Sequence, residues 1–451
     1  MDQQLLKQVE DWLEAHRAEI IHDLQELVHI PSVSIPDKEV PPFGPHCRAA
    51  LAWMYALAEK HGYTSRDFDH YIGAVDFNTG DASVGIWSHL DVVPVPWAED
   101  WVYPPFECTL VEDRYLIGRG VQDNKATAIG VFHVMNCLRD LGVKLRHGYS
   151  LYLGTSEETG MEDCRYFASH YPCPDLSIVP DTGFPVCTAQ RGCMTIEVSV
   201  PFDHPMVIRE TNNPSVTPNE IEAELADGTI LRVTGDGAHV FKAEGITYAA
   251  HVLLEQLAAY YPREREKLRA LRDLTKDWDG ASLGIAYKDE LSGALQTAPT
   301  FVCWADGRLS LRMYTIVPVT ADGEALTALA ARKAQTLGAE ARLLKLRPSC
   351  SFPADSPIVT SLTGVYNEVM HRDDKPFVMS GGNYAACLPN AFGFGPGMPG
   401  REFPPHIFKP GHGDYHQCDE SEDVVHILNF MKVYAMSILE LETLELPHNG
   451  N

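Results

Sequence analysis

Two periodicities divide this chain, and the point where one replaces the other constrains its fold more than any other feature. Before about residue 190, short apolar segments alternate with amphipathic ones. Leu5, Leu6, Val9, Trp12, Leu13, Ile20, Ile21, Leu24, Leu27 and Val28 recur at helical spacing and stop before Ile30-Pro31. A second helix is predicted over 49–60, and another after Asp123, with Ile129, Phe132, Met135 and Leu138 on one face. Strands are predicted over 71–75, 83–87, 150–153 and 176–179. This alternation predicts an α/β domain with a largely parallel sheet. From Cys193 the period falls to two: Met194, Ile196, Val198 and Val200 alternate with polar residues, as in a half-exposed strand. Similar strands follow over 229–233, 308–314 and 341–346, with helices over 247–260 and 323–337. The first texture returns after Ser349 and ends in a helix over 421–439. The predicted organisation is one α/β domain in two parts, 1–190 and 351–451, interrupted by an α+β domain over 191–350.

Charge narrows what such a chain can bind. Its 451 residues include 36 Lys+Arg and 62 Asp+Glu, a net charge of −26. That balance argues against nucleic acid and against an anionic membrane surface, both of which call for a basic face. The uncharged run over 377–400 is broken by Gly and Pro, so it predicts no membrane helix. Met1-Asp2-Gln3-Gln4 lacks the basic and apolar character of a signal peptide. Eleven cysteines, none in a C-x-x-C pair, predict reduced thiols in a cytoplasmic protein rather than a thiolate zinc finger. The surplus of carboxylates does permit a site for cations.

Five segments set acids and histidines just after predicted strands or at helix starts, where ligands gather in open α/β sheets. They are His89-Leu90-Asp91, Gly118-Arg119-Gly120-Val121-Gln122-Asp123-Asn124-Lys125, Ser156-Glu157-Glu158-Thr159-Gly160, Pro180-Asp181-Thr182, and His412 through Glu420, which contains His416. In extended chain His89 and Asp91 point to one side, so Asp91 can orient a metal-bound imidazole. Each segment alone is commonplace, since strand-end acids often cap helices, and His406 and His412 lie close to His416 as competitors. Their order and flanks carry the signal.

That ordered set resembles the co-catalytic metallopeptidase superfamily of carnosinase, carboxypeptidase G, aminoacylase and succinyl-diaminopimelate desuccinylase, and within it the PepV-type dipeptidases. Trp101-x-x-Pro-Pro-Phe106, Ser292-Gly293 after Asp289, Leu311-Arg312-Met313-Tyr314 and Gly381-Gly382-Asn383-Tyr384-Ala385 extend the resemblance over nearly the whole chain. It implies a zinc-aminopeptidase-like catalytic domain and a ferredoxin-like lid. It also implies two divalent ions about 3.5–4 Å apart, zinc with manganese or cobalt as substitutes. His89 and Asp181 would bind one ion and Glu158 and His416 the other, with Asp123 bridging. Glu157 matches the general base, His239 in Asp236-Gly237-Ala238-His239 the oxyanion stabiliser, and Arg312 the anchor for a substrate's C-terminal carboxylate. Gly382 and Asn383 fall at substrate-contact positions.

The sequence departs from the family pattern at Asn124 and Ala126, where Asp and Gly are usual, and at Asn383, where Thr is usual. An oxyanion-assisting Asn falls near Ser215, among Asn212 and Asn213. The implied reaction is hydrolysis of a dipeptide with a free C-terminal carboxylate. The alternatives are deacylation of N-acyl amino acids and metal-dependent peptide binding without catalysis. The resemblance allows a monomer or a homodimer.

Overall fold

The structure is a computed structural model that describes residues 2–95, 98–210 and 213–448. The chain forms two compact units: 1–189 with 351–377 and 383–451, and 190–350 with 378–382.

The first unit is built on a mixed sheet whose strands lie in the order Thr64–Phe68, Ile72–Asp76, Gly148–Gly154, Ser83–His89, Leu176–Val179, Ala391–Phe394 and Val186–Gln190. Only the four strands from Gly148–Gly154 to Ala391–Phe394 run parallel. Both flanks are antiparallel, around this parallel centre. For the outermost pair the reason is connection length. Thr64–Phe68 and Ile72–Asp76 are joined by a turn with Asp69 and His70 at positive φ, too short for the crossover that parallel pairing requires. Ser83–His89 is buried along all but its first residue, as a strand covered on both faces must be.

Helices Gln3–Val28, Ala126–Asp140 and Val424–Leu441 pack on one another. Residues 126–138 are all buried, so the middle helix forms the centre of the first core. Gln3–Val28 starts on Asp2, whose side chain accepts from the Gln4 and Leu5 amides. Near its other end, buried Lys125 donates to the Leu27 and Ile30 carbonyls at 3.1 and 2.7 Å. Among the described residues one helix, Val424–Leu441, is long and apolar enough to cross a membrane, and most of it is buried within the fold.

The second unit holds a four-stranded antiparallel sheet in the order Gln296–Ala305, Arg308–Val317, Gly192–Pro201 and Glu340–Arg347. Met194, Ile196, Val198 and Val200 form a core with Leu309, Leu311, Met313 and the helices Ala249–Tyr260, Arg265–Leu274 and Gly323–Gln335. The opposite face carries Glu197 directly across from Arg312. A three-stranded sheet, Met206–Glu210, Glu220–Leu225 and Ile230–Thr234, adds to the α+β insert predicted from sequence.

Candidate metal centre

Three neighbouring parallel strands deliver their carboxyl ends to one place. Ser83–His89 ends on His89 and leads to Asp91, Gly148–Gly154 leads to Glu157 and Glu158, and Leu176–Val179 leads to Asp181. The turn before helix Ala126–Asp140 adds Asp123, and the loop before strand Ser421–Asp423 adds His416. Gly120 at φ 85° makes that turn possible, and a β-carbon there would strike Val92. His416 itself sits at φ 62°, an unfavourable backbone for histidine that its loop imposes.

Asp123 lies between the two imidazoles. Its Oδ1 is 3.0 Å from His89 Nε2 and its Oδ2 is 3.2 Å from His416 Nε2, which is also 2.9 Å from Glu158 Oε1. Donor atoms of His89, Asp123 and Glu158 lie within 4.8 Å of one another, as do those of His89, Glu157 and Asp181. All six residues assigned from sequence as metal ligands or general base therefore meet in one cluster. His89 Nδ1 donates to the Asp91 carbonyl at 2.9 Å, which turns Nε2 toward Asp123. The Asp91 carboxylate is 3.5 Å from that ring and takes the amides of Glu157 and Glu158, each at 3.1 Å. Asp91 thus holds the histidine with its backbone and the glutamate pair with its side chain.

The cluster is electrostatically incomplete. Among the described residues no Lys or Arg pairs with Asp123, Glu157, Glu158 or Asp181. Burial, then the Asp181 charge, holds Glu157 well above the usual carboxylate range, and burial with the Asp123 charge lifts Asp181 to about 8. Glu158 is raised as well, again chiefly by burial. Burial would lower both histidines, but their carboxylate partners outweigh it, raising His89 and taking His416 to about 10. Protons are held here where cations would otherwise balance the acids, and a set of imidazoles and carboxylates fits divalent ions of the zinc, manganese and cobalt type.

In the second unit His239 is half-buried and its Nδ1 accepts from the Phe241 amide at 3.2 Å. An amide can only donate, so the ring proton of the neutral form is on Nε2. Burial, with Lys242, lowers the pKa of His239 and favours that neutral form. The segment around Ser215 pairs with the His239 segment through Val216, while Asn213 accepts from Ser215 within its own turn and Asn212 lies outside the described residues. Arg312 stands 3.6 Å from Glu197, which also holds Arg342 at 2.6 Å. Gly382 leaves room for the Arg347 guanidinium, which a β-carbon would overlap.

The family model of "Peptidase family M20/M25/M40" matches residues 85–440, which span every residue of this cluster. The chain belongs to peptidase family M20/M25/M40. It is 26% identical over 424 residues to the Beta-Ala-Xaa dipeptidase of Lactobacillus delbrueckii subsp. lactis, covering 85% of this chain and 89% of that one. It is 25% identical to the putative dipeptidase YtjP of Bacillus subtilis (strain 168), covering 94% and 97%. In fold it is similar to human carnosine dipeptidase 1, with a TM-score of 0.64 at 14% identity over 98% and 99% of the two chains.

Within this M20 chain, the residues around the cluster have their own duties. Asn124 donates to the Pro180 carbonyl at 3.0 Å and to Asp181 Oδ1 at 3.2 Å, and its own oxygen accepts from Ser88. Replacing the usual acid with an amide thus adds a donor toward Asp181. Asn383 is buried and donates to the Asp181 carbonyl at 2.8 Å. Of the competing histidines, His406 pairs with Glu112 at the surface and His412 with Asp419. Sequence reasoning assigned no role to Asp163, whose buried carboxylate takes the Thr155 and Ser156 amides and the Tyr384 hydroxyl, fixing the start of the Glu157 loop. It also assigned none to Glu420, although the acidic pair that follows His416-Gln417-Cys418 was visible.

Proposed function

We propose that this M20 chain is a dinuclear-metal dipeptidase that hydrolyses the amide bond of a dipeptide with a free C-terminal carboxylate. The observation that carries the reading is the half-buried cluster of four carboxylates around His89 and His416, with no Lys or Arg partner among the described residues. Similarity to the Beta-Ala-Xaa dipeptidase supports a dipeptide in preference to an N-acyl amino acid. His89 and Asp181 would hold one ion and Glu158 and His416 the other, with Asp123 shared between them, and zinc would be the native metal with manganese or cobalt able to replace it. When bound, the ions supply an activated water and polarise the scissile carbonyl.

The chain's own groups complete the reaction. Glu157 takes a proton from the attacking water and returns it to the leaving amine nitrogen. His239 offers its Nε2 proton to the carbonyl oxygen as that atom becomes negative, a stabilisation worth roughly 3 kcal/mol. Arg312 binds the substrate carboxylate, the geometry a planar guanidinium suits. Gly382 is a substrate contact that also leaves room for Arg347, and Asn383 holds the Asp181 loop. The protein works in the cytoplasm, in keeping with eleven cysteines of which none forms a C-x-x-C pair, as a monomer or a homodimer.

The test is a substrate panel. Protein loaded in turn with zinc, manganese and cobalt is offered dipeptides and the matching N-acetyl and N-succinyl amino acids. Dipeptide turnover in excess of deacylation is expected. The reverse preference would favour the deacylase, and tight peptide binding without turnover under all three metals would mean a non-catalytic binding protein.

A further inference from the structure

Glu420 is fully buried, four residues beyond His416, and its side chain bonds the backbone of the turn that carries Asp123. One carboxylate oxygen accepts from the amides of Gly120 at 3.1 Å, Gln122 at 3.1 Å and Asp123 at 3.2 Å, and the other accepts from Arg119. The Glu420 carbonyl accepts from the Gly118 amide at 2.8 Å. Every one of these partners lies in the turn that presents Asp123. The Arg119 guanidinium is buried as well and lies 5.2 Å from the Trp101 ring.

A buried ion pair of this kind contributes little net stability, because desolvation offsets most of the attraction. Its specific consequence here is geometric. The amides of residues 120, 122 and 123 converge on one fixed anion, which sets the backbone of the residue whose two oxygens face His89 and His416. The same glutamate anchors the far end of the His416 loop. That loop closes on itself through Gly413, whose amide donates to the Cys418 carbonyl and whose carbonyl accepts from the Ser421 amide, both at 2.9 Å. The preceding residue, Asp419, is also fully buried and takes the amides of Val102 at 2.8 Å and Tyr103 at 3.0 Å.

We infer that Glu420 is a positioning residue of the metal centre, one that locks the Asp123 turn to the His416 loop so that the bridging carboxylate and the imidazole on its far oxygen keep a fixed separation. The inference rests on the reading of Asp123 and His416 as metal ligands. Without the lock the two ligands would still be present, but each metal-binding event would have to order two loops instead of one preformed site.

The experiment titrates cobalt(II) into metal-free wild type, Glu420→Gln and Glu420→Ala, read by calorimetry and by visible absorption of the bound ion. Wild type is expected to bind two ions. Glu420→Gln, which keeps an acceptor for the turn amides, is expected to bind about tenfold more weakly, and Glu420→Ala about 100-fold, with a changed visible band in both. The thermal midpoint of each variant in chelator, compared with wild type in chelator, separates loss of the site from loss of the fold. If the alanine variant does not fold, the glutamine variant carries the comparison. Cobalt affinity and spectrum equal to wild type in the folded variants would overturn the inference. Failure of wild type to bind cobalt would instead overturn the metal-centre reading on which it rests.

Discussion

The carboxylate cluster of the first unit and the open sheet face of the second treat charge in opposite ways. In the first, Asp123, Glu157, Glu158 and Asp181 converge with two histidines and no Lys or Arg partner among the described residues. In the second, charges on the open sheet face largely pair off: Glu197 faces Arg312 across the ladder and holds Arg342, while Glu210 lies near Arg312. A half-buried cluster of like charges, held together by protons and two histidines, is suited to cations from outside the chain, whereas the sheet face of the second unit already has its partners. This difference identifies the chemistry more directly than the net charge, because most of the surplus acids are simply exposed.

The sharpest way to break the comparison is to remove the one carboxylate of the cluster that is assigned to protons rather than ions. Glu157→Ala is expected to lower dipeptide turnover by about 10²–10⁴-fold while two metal ions still bind, measured as kcat on metal-loaded protein beside a metal titration. Wild-type turnover would remove Glu157 from the base role, and loss of an ion would make it a ligand, which its 4.8 Å grouping with His89 and Asp181 also permits geometrically.

The matching change in the second unit is Arg312→Met. If the guanidinium binds the substrate carboxylate as well as Glu197, KM for dipeptides rises about 10–100-fold with kcat little changed. A dipeptide C-terminal amide, which offers no carboxylate, is unaffected by the substitution. Equal losses on both substrates would show that Arg312 serves only the Glu197–Arg342 pairing.

What the sequence disclosed follows the same line. The alternation before residue 190 and the period of two after Cys193 are local patterns, so part of each larger sheet and the longest helices were legible, while Glu162–His170 and Pro357–Met370 were not predicted. Arg265–Leu274 was not, because Leu268, Leu271 and Leu274 are its only buried residues and its other positions are charged or small. The antiparallel flanks were hidden because strand pairing is not encoded in the strand's own period. The cluster residues were legible as ordered segments, and Asp91 as the residue that orients His89, but Glu420 and Asp163 were not. Glu420 reaches the Asp123 turn across about 300 residues of chain, and Asp91 supports His89 through its backbone carbonyl as well as its carboxylate. His416 at positive φ is likewise a product of loop closure, and nothing in its side-chain type announces it.

The smallest expected effect tests the second unit's self-sufficiency against acid. His251 is partly buried with Nε2 3.0 Å from the Thr275 hydroxyl, and burial, then the Arg272 charge, lowers its pKa to about 4. The unfolded chain, with an ordinary histidine near 6.5, therefore binds more protons than the folded one between the two values. Stability from the neutral ring is fully present above about pH 6.5 and falls away as pH drops toward 4, by roughly 1–2 kcal/mol after allowance for partial exposure. His251→Gln keeps a hydrogen-bonding group for Thr275 without a titrating one. In chelator, which takes metal binding out of the comparison, wild type should lose a few degrees more in Tm than the variant between pH 7.5 and 4.5. Equal losses would mean that His251 is solvated in the folded state and takes no part in the acid sensitivity.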